Sequence, residues 1–210
     1  MNINNRFCNI NRGLAILAGS ALMLSPLTVK AQKSNLTEDK FELTTSKVPA
    51  SGTKSSTILF NAPPSEVKVM GKFKHAKIIV DLSRNVLYKY DDNGNAEKAY
   101  LVASGKKSSP TTEGLRIVTH VETYPYRSAP ASTKRRKHPQ SYGPKIICLR
   151  FLDSVTGETS STGEFIHGNN NPSSIGKFAS LGCVRMDNEV IKELAKEVKR
   201  GDIVLMQKDF

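Results

Sequence analysis

Paired metal-ligand spacings are missing from this chain of 210 residues. Its four histidines and three cysteines form neither a CxxC nor an HxxxH pair, the spacings that many zinc sites use. The sequence also contains no internal repeat. We therefore expect a domain without a metal site and without a repeat architecture.

Long apolar runs are missing beyond the first 31 residues. The run "GLAILAGSALMLSPL" follows Arg6 and Arg12, and the small residues Val29 and Ala31 come after it. This order is typical of a secretory signal peptide cleaved after about Ala31, and the run is short for a membrane-spanning helix. We predict an export signal at 1–31, with an uncleaved anchor as the alternative and no other membrane contact.

Acidic residues are outnumbered by basic ones. The chain has 31 Lys and Arg against 19 Asp and Glu, a net charge of +12, and cleavage of the signal peptide lowers it to +9. A basic exported protein is attracted to anionic polymers or membrane surfaces. Zinc-finger spacings and aromatic residues interleaved with basic ones are absent from the sequence, so nucleic acid is not an expected partner.

Two cysteines remain after cleavage, and they differ in their surroundings. Cys148 lies in the strand-like run "KIICLRF", which favours packing as a small apolar residue. In an oxidising compartment it can also pair with Cys183, although spacing does not define connectivity. For Cys183 the residues alone leave four roles open: a packed side chain, half of a disulfide, a metal ligand, or a nucleophile beside His167.

The composition divides the exported chain in two. Residues 32–72 are rich in Ser, Thr, Lys and Asn and contain "VPASGTKSS" and "NAPPSE", so they bury little apolar surface. We predict a flexible linker there, with "TILFNAP" as a possible short docked strand, and a folded domain at 73–210.

The folded part has the composition of strands. Runs rich in β-branched and aromatic residues are separated by turn residues such as "DDNGN". The predicted strands are 77–82, 85–90, 97–105, 115–123, 145–152, 164–168 and 202–206. One helix is predicted after Cys183, capped by Asp187, with an apolar stripe and an end at Gly201. The domain is therefore expected to be mostly β with one main helix.

Cys183 and His167 are candidates for nucleophilic chemistry. His167 ends a predicted strand and Cys183 precedes the predicted helix, positions from which a scaffold presents reactive groups. An imidazole can take the thiol proton, and the thiolate is the attacking form. The amides of Cys183 and Gly182 could form an oxyanion hole, and Arg185 has a planar fork suited to a carboxylate.

The segment 165–191, "FIHGNNNPSSIGKFASLGCVRMDNEVI", resembles the active-site signature of L,D-transpeptidases with the YkuD-type catalytic domain. That signature is His-Gly, a spacer of roughly a dozen residues, then Ser-His-Gly-Cys, a hydrophobic residue and Arg or Asn. The matching residues are His167, Gly168, Ser180, Gly182, Cys183, Val184 and Arg185. Upstream, "IIVDLSRNVLYKY" and "SGKKSSPTTEGLRIVT" resemble the opening strands and the Gly-Lys loop, so the likeness covers about 75–207.

Three features depart from that pattern. Leu181 stands where the family commonly has a second histidine, which implies retained activity with altered pH dependence or substrate preference. Thr112 replaces the usual proline of the upstream loop, and because that loop is structural the departure casts little doubt on the resemblance. The basic insertion 127–138 matches nothing in the family and is either a solvated loop or a contact for an anionic wall polymer.

The resemblance implies the YkuD fold, a mostly β, sandwich-like domain with a mixed sheet and the catalytic motif at one sheet edge. It implies a peptidoglycan L,D-transpeptidase of the periplasm or cell wall, without a cofactor. Cys183 is then the nucleophile, His167 the general base and acid, and the Gly168 carbonyl orients the imidazole. The oxyanion and substrate side is assigned to Ser180, Leu181, Gly182 and Arg185.

The same resemblance implies the reaction and its alternatives. The thiolate attacks the third-residue carbonyl of a tetrapeptide stem, D-alanine leaves, and an amine of another stem or of a protein lysine takes the acyl group. With water as acceptor the enzyme is an L,D-carboxypeptidase. A non-catalytic wall-binding module is the third alternative, and Leu181 is the one sequence feature that favours it.

Overall fold

Residues 62–210 are described by the computed structural model. The predicted signal peptide and residues 32–61 of the predicted linker lie outside the described residues. Within 62–210 the strands are β1 (Glu66–Val69), β2 (Lys72–His75), β3 (Ile78–Asp81), β4 (Val86–Tyr90), β5 (Ala96–Leu101), β6 (Ser104–Gly105), β7 (Gly114–Thr123), β8 (Lys145–Leu152), β9 (Thr159–His167), β10 (Phe178–Ser180), β11 (Val184–Arg185) and β12 (Ile203–Gln207). The helices are α1 (Lys134–Lys137) and α2 (Asn188–Glu197), and two 3-10 turns span Pro139–Tyr142 and Pro172–Ser174.

Eight of these strands form one mixed sheet in the order β11-β9-β8-β7-β12-β3-β4-β5. Strands β11 and β9 are parallel, as are β12 and β3, and the other neighbours are antiparallel. The predicted mostly β fold with a mixed sheet is therefore confirmed. The edge strand β11 directly follows Cys183, so the sheet edge carries the candidate motif.

Helix α2 covers one face of the sheet. Side chains of a strand alternate between faces, and Ile147 of β8 and Val204 of β12 point to the face where Ile191 and Leu194 of α2 are buried. The predicted cap is confirmed, since a carboxylate oxygen of Asp187 accepts hydrogen bonds from the first amides of the helix. Neither helix within the described residues has the length and apolarity that a bilayer crossing requires.

The end of α2 differs from the prediction. The helix stops at Glu197 instead of continuing to Gly201, because Val198 has an extended backbone with φ −89° and ψ 133°. The amide of Lys199 then donates to the Asp202 carboxylate at 2.8 Å. The Asp202 side chain thus takes the Lys199 amide hydrogen in place of a helical carbonyl. Gly201 lies in the turn that leads to β12.

The opposite face of the sheet is covered in two places. The hairpin β1–β2 packs Val67 and Val69 against Ile79 of β3 and its neighbours. The long segment 124–144 packs Tyr126 and Ala129 against β8. Both faces are therefore buried, which accounts for the sandwich-like arrangement.

The hairpin corrects the predicted boundary of the domain. Residues 62–72 were assigned to the linker, but Val67 and Val69 are buried and β1 pairs with β2 across four residue pairs. The two strands have only four residues each, and all four residues of β2 are exposed. A short strand without an apolar face gives little sequence signal, so the folded region extends further toward the N terminus than predicted.

Candidate active site

Strand pairing at the sheet edge brings the two halves of the motif together. Strand β11 runs parallel to β9 with Arg185 opposite His167 and Val184 opposite Ile166. Cys183 precedes β11, and a backbone hydrogen bond from Phe165 reaches its thiol group. The backbone register therefore places Cys183, directly before β11, beside β9, which ends at His167.

A cavity of about 340 Å³ opens at this edge. It is lined by Lys134, His138, Ser141, Tyr142, Gly163, His167, Leu181, Cys183 and Arg185. Four of the predicted site residues thus share one cavity with residues from the segment 124–144. One wall of the cavity comes from β9 and β11, and the other wall comes from the region of α1.

His167 is held as a neutral base. Its side chain is buried, and its Nδ1–H donates to the carbonyl of Gly168, which leaves Nε2 as the nitrogen able to accept a proton. The ring of Tyr142 lies 4.8 Å from the imidazole, centroid to centroid. Burial lowers the pKa of His167 to about 4, and the hydrogen bond to Gly168 only partly opposes this effect.

Cys183 is a half-buried free thiol. Burial raises its pKa above the ordinary value, and the charge of Glu164 acts in the same direction. The hydrogen bond from Phe165 and the charge of Arg185 lower the pKa, but they do not reverse the shift. The resting cysteine is therefore a thiol, and attack requires a base to remove its proton.

Ser180 and Gly182 brace the nucleophile loop from inside. The Ser180 hydroxyl is buried; it donates to the Cys183 carbonyl at 2.5 Å and accepts from the Gly182 amide at 3.1 Å. Gly182 has φ +117°, a conformation that side chains rarely adopt. The Gly182 amide thus donates within the loop, so of the two predicted oxyanion donors the Cys183 amide is the one without this competing bond.

Leu181 lies at the mouth of the cavity with 66% of its surface exposed. Its apolar side chain lines the same cavity as Cys183, at the position where the family commonly has a histidine. A polar donor is therefore replaced by a group that can only pack against a ligand.

Asn169 is a buried residue of the site that the sequence analysis did not identify. Its Nδ2 donates to the Met186 carbonyl at 2.7 Å, and its amide donates to Asn188 Oδ1 at 2.9 Å. These bonds tie the loop after His167 to the start of α2. A polar residue directly after the His-Gly pair is the one local signal for this role in the sequence.

A buried ion pair joins β7 to β9, and the sequence analysis did not identify it either. Arg116 is fully buried, and its Nε and Nη2 donate to Glu164 Oε2 at 3.1 and 2.9 Å. Thr112 donates to Glu164 Oε1 from its amide at 3.0 Å and from its hydroxyl at 2.8 Å. Proline has no amide hydrogen, so Thr112 gives this structural loop a bond to Glu164 that the usual proline could not make.

The basic insertion 127–138 is anchored to the sheet through Ala129 and Arg135, while most of its other residues are exposed to solvent. Ala129 is buried in the cluster that contains Ile146. The Arg135 guanidinium donates to both oxygens of the buried Glu122, at 2.6 and 3.1 Å. This segment therefore forms a fixed wall of the cavity.

Cys148 is the packed cysteine that its sequence context predicted. It is buried and unpaired, and burial raises the pKa of its thiol to about 12. Its sulfur, His120 and Glu122 place ligand atoms within 4.8 Å of one another, the one such cluster among residues 62–210. Arg135 already occupies the Glu122 carboxylate and the thiol stays protonated, so these residues suit a metal poorly.

Comparison with known proteins agrees with this geometry. Residues 75–206 match the YkuD family model, the L,D-transpeptidase catalytic domain. The chain is 32% identical to the "Putative L,D-transpeptidase YqjB" of Bacillus subtilis over 133 residues, which cover 63% of this chain and 71% of that protein. It is 61% identical to the "Putative L,D-transpeptidase YkuD" of Bacillus licheniformis over 36 residues, which cover 17% and 22% of the two chains.

Solved structures show a more distant likeness. The Enterococcus faecium L,D-transpeptidase C442S mutant aligns at 23% identity with a TM-score of 0.45, over 63% of this chain and 49% of that one. An L,D-transpeptidase from Mycobacterium tuberculosis H37Rv aligns at 16% identity with a TM-score of 0.46, over 69% and 67%. The chain thus spans about half the length of the Enterococcus protein.

The sheet edge thus brings a cysteine, a histidine and an arginine to one cavity. The chain belongs to the YkuD family of L,D-transpeptidases, because the family model covers more than half of its residues. It is an enzyme of that class, and the family supports a peptidoglycan transpeptidase activity in general.

Proposed function

We propose that this enzyme is exported to the periplasm or cell wall and there acylates itself with a peptidoglycan tetrapeptide stem. The observation that carries the proposal is the pairing of a half-buried free thiol with a neutral imidazole in one cavity. His167 has its Nδ1–H committed to Gly168, so its remaining nitrogen can take the proton of Cys183.

In the first half-reaction the sulfur of Cys183 attacks the third-residue carbonyl carbon while His167 takes the thiol proton. The Cys183 amide donates to the oxygen that becomes negative in the tetrahedral intermediate. The bond to the fourth residue then breaks, and the imidazolium of His167 gives its proton to the departing amine. D-alanine leaves and a thioester remains.

In the second half-reaction an amine attacks the thioester. His167 removes a proton from the attacking amine and returns it to the sulfur as the thioester breaks. A third-residue amine of another stem gives a 3-3 cross-link, and a protein lysine gives an attached protein. Water in the same position gives an L,D-carboxypeptidase, which the products distinguish.

Intact-mass measurement after incubation of the full chain with a carbapenem tests the nucleophile. We expect one adduct on the full chain and on its Cys148→Ala variant, and none on Cys183→Ala. An adduct that follows Cys148 would refute the assignment, and an unmodified mass with Cys183 free would favour the wall-binding module. Incubation with disaccharide-tetrapeptides then separates cross-linked dimer from a trimmed tripeptide.

A further inference from the structure

The wall of the Cys183 cavity that comes from the insertion is cationic. Lys134 and His138 line it, and Arg185 lines it from the strand side. The residues that line this cavity include no aspartate or glutamate. A cavity bounded by charges of one sign attracts ligand groups of the opposite sign.

Lys134 begins α1 and His138 is the residue directly after it. They are four residues apart, and the His138 amide donates to the Lys134 carbonyl at 2.8 Å, so one helical turn separates them. Lys137 of the same helix is exposed and does not line the cavity. The helix therefore directs one particular pair of side chains at the site.

The helix is fixed in place by buried contacts. Arg135 bonds both oxygens of Glu122, and its guanidinium lies 5.3 Å from the Phe165 ring centroid. A second contact joins the two ends of the segment 124–144, because the Tyr126 hydroxyl donates to the carbonyl of Gly143. The backbone that carries Lys134 and His138 is thus anchored beside the cavity, while both side chains are exposed to a ligand.

Arg185 supplies an independent sign that the cavity suits an anionic group. Its Nε is buried and has no hydrogen-bond partner within residues 62–210. A buried donor without an acceptor is costly. An anionic group in the cavity would satisfy it.

We propose that Lys134, His138 and Arg185 together bind a carboxylate of the substrate. Under the proposed function, on which this inference rests, the attacked carbonyl belongs to the third stem residue, whose side chain must then enter the same cavity. The wall therefore selects stems whose third residue bears a free side-chain carboxylate over stems in which that group is a carboxamide. Charge-assisted hydrogen bonds set the preference at about tenfold.

Two synthetic tetrapeptides that differ only in this carboxylate or carboxamide test the proposal. Binding is measured by calorimetry on the full-length Cys183→Ala chain, so that the result does not depend on turnover. We expect the carboxylate peptide to bind about tenfold more tightly. Adding Lys134→Gln should reduce this ratio to about threefold or less, whereas Lys137→Gln on the same helix should preserve it.

Equal affinities for the two peptides, or an unchanged ratio in Lys134→Gln, would overturn the proposal. Release of the fourth residue by the chain with Cys183 intact is followed in parallel. If neither peptide is turned over but binding still favours the carboxylate, the carboxylate wall stands and the proposed reaction is wrong. If both are turned over and bound equally, the reaction stands and the carboxylate wall does not.

Discussion

The two walls of the cavity are built by different means. On the strand side, backbone pairing between β9 and β11 places Cys183 beside the strand that carries His167. On the insertion side, a few side-chain anchors, chiefly Arg135 on Glu122, hold α1 in position. The first wall depends on backbone register, whereas the second depends on a small number of side-chain contacts. Single substitutions should therefore disturb the insertion side more readily than the strand side.

Each wall contributes one histidine, and exchanging each for glutamine should separate their roles. His167→Gln removes the base, and we expect the rate of fourth-residue release to fall by about 10²–10⁴-fold. His138→Gln removes only a binding contact, so its kcat/KM should fall by less than about tenfold. Steady-state kinetics on both variants measure this, and a larger loss for His138→Gln would reverse the assignment of the walls.

The pH dependence should report the strand-side histidine. The pKa of His167 is lowered to about 4, so the neutral base is present above that pH and is lost as the pH falls through it. We therefore expect the acid limb of kcat/KM near pH 4 and not near the ordinary histidine value. An acid limb close to 6.5 would contradict this buried neutral state.

Arg135→Ala should damage the insertion wall alone. The substitution leaves the buried Glu122 carboxylate without its bidentate partner, and we expect a loss of about 2–3 kcal/mol in unfolding free energy. Carbapenem acylation of Cys183 should persist at a temperature where the variant is folded. Denaturant unfolding measures the effect, with Lys137→Ala as the matched control on the same helix.

Thr112→Pro should produce the smallest of these changes, on the strand side. It removes an amide and a hydroxyl that both donate to Glu164, at a cost of about 1–3 kcal/mol. Thr112→Ala keeps the amide, so it should be the more stable of the two variants in thermal unfolding. Equal stabilities would show that the Thr112 amide contributes nothing.

Sequence reasoning predicted the strand-side wall well, because its signals are local. The runs of β-branched residues became strands, the cap at Asp187 began α2, and the order of residues from His167 to Arg185 matched a family signature. These features depend on neighbours in the sequence or on a motif that is read directly.

The rest depends on contacts between distant residues. Arg116 meets Glu164 across 48 positions, and Arg135 meets Glu122 across 13, so neither pair has a local signature. The hairpin β1–β2 is stabilised by packing on the sheet and not by its own composition. Residues of these kinds are recognisable only once the sheet order is known.

The separation of the two thiols has a consequence for oxidative damage. Cys148 is paired with Phe165 on β9, and Cys183 lies on the far side of that strand, so about 10 Å separates their backbones. This is beyond the reach of a disulfide, and Cys148 remains protonated. Cys148 therefore cannot act as a resolving thiol for a sulfenic acid on Cys183. Reduction of an oxidised Cys183 must then come from a thiol or reductant outside residues 62–210.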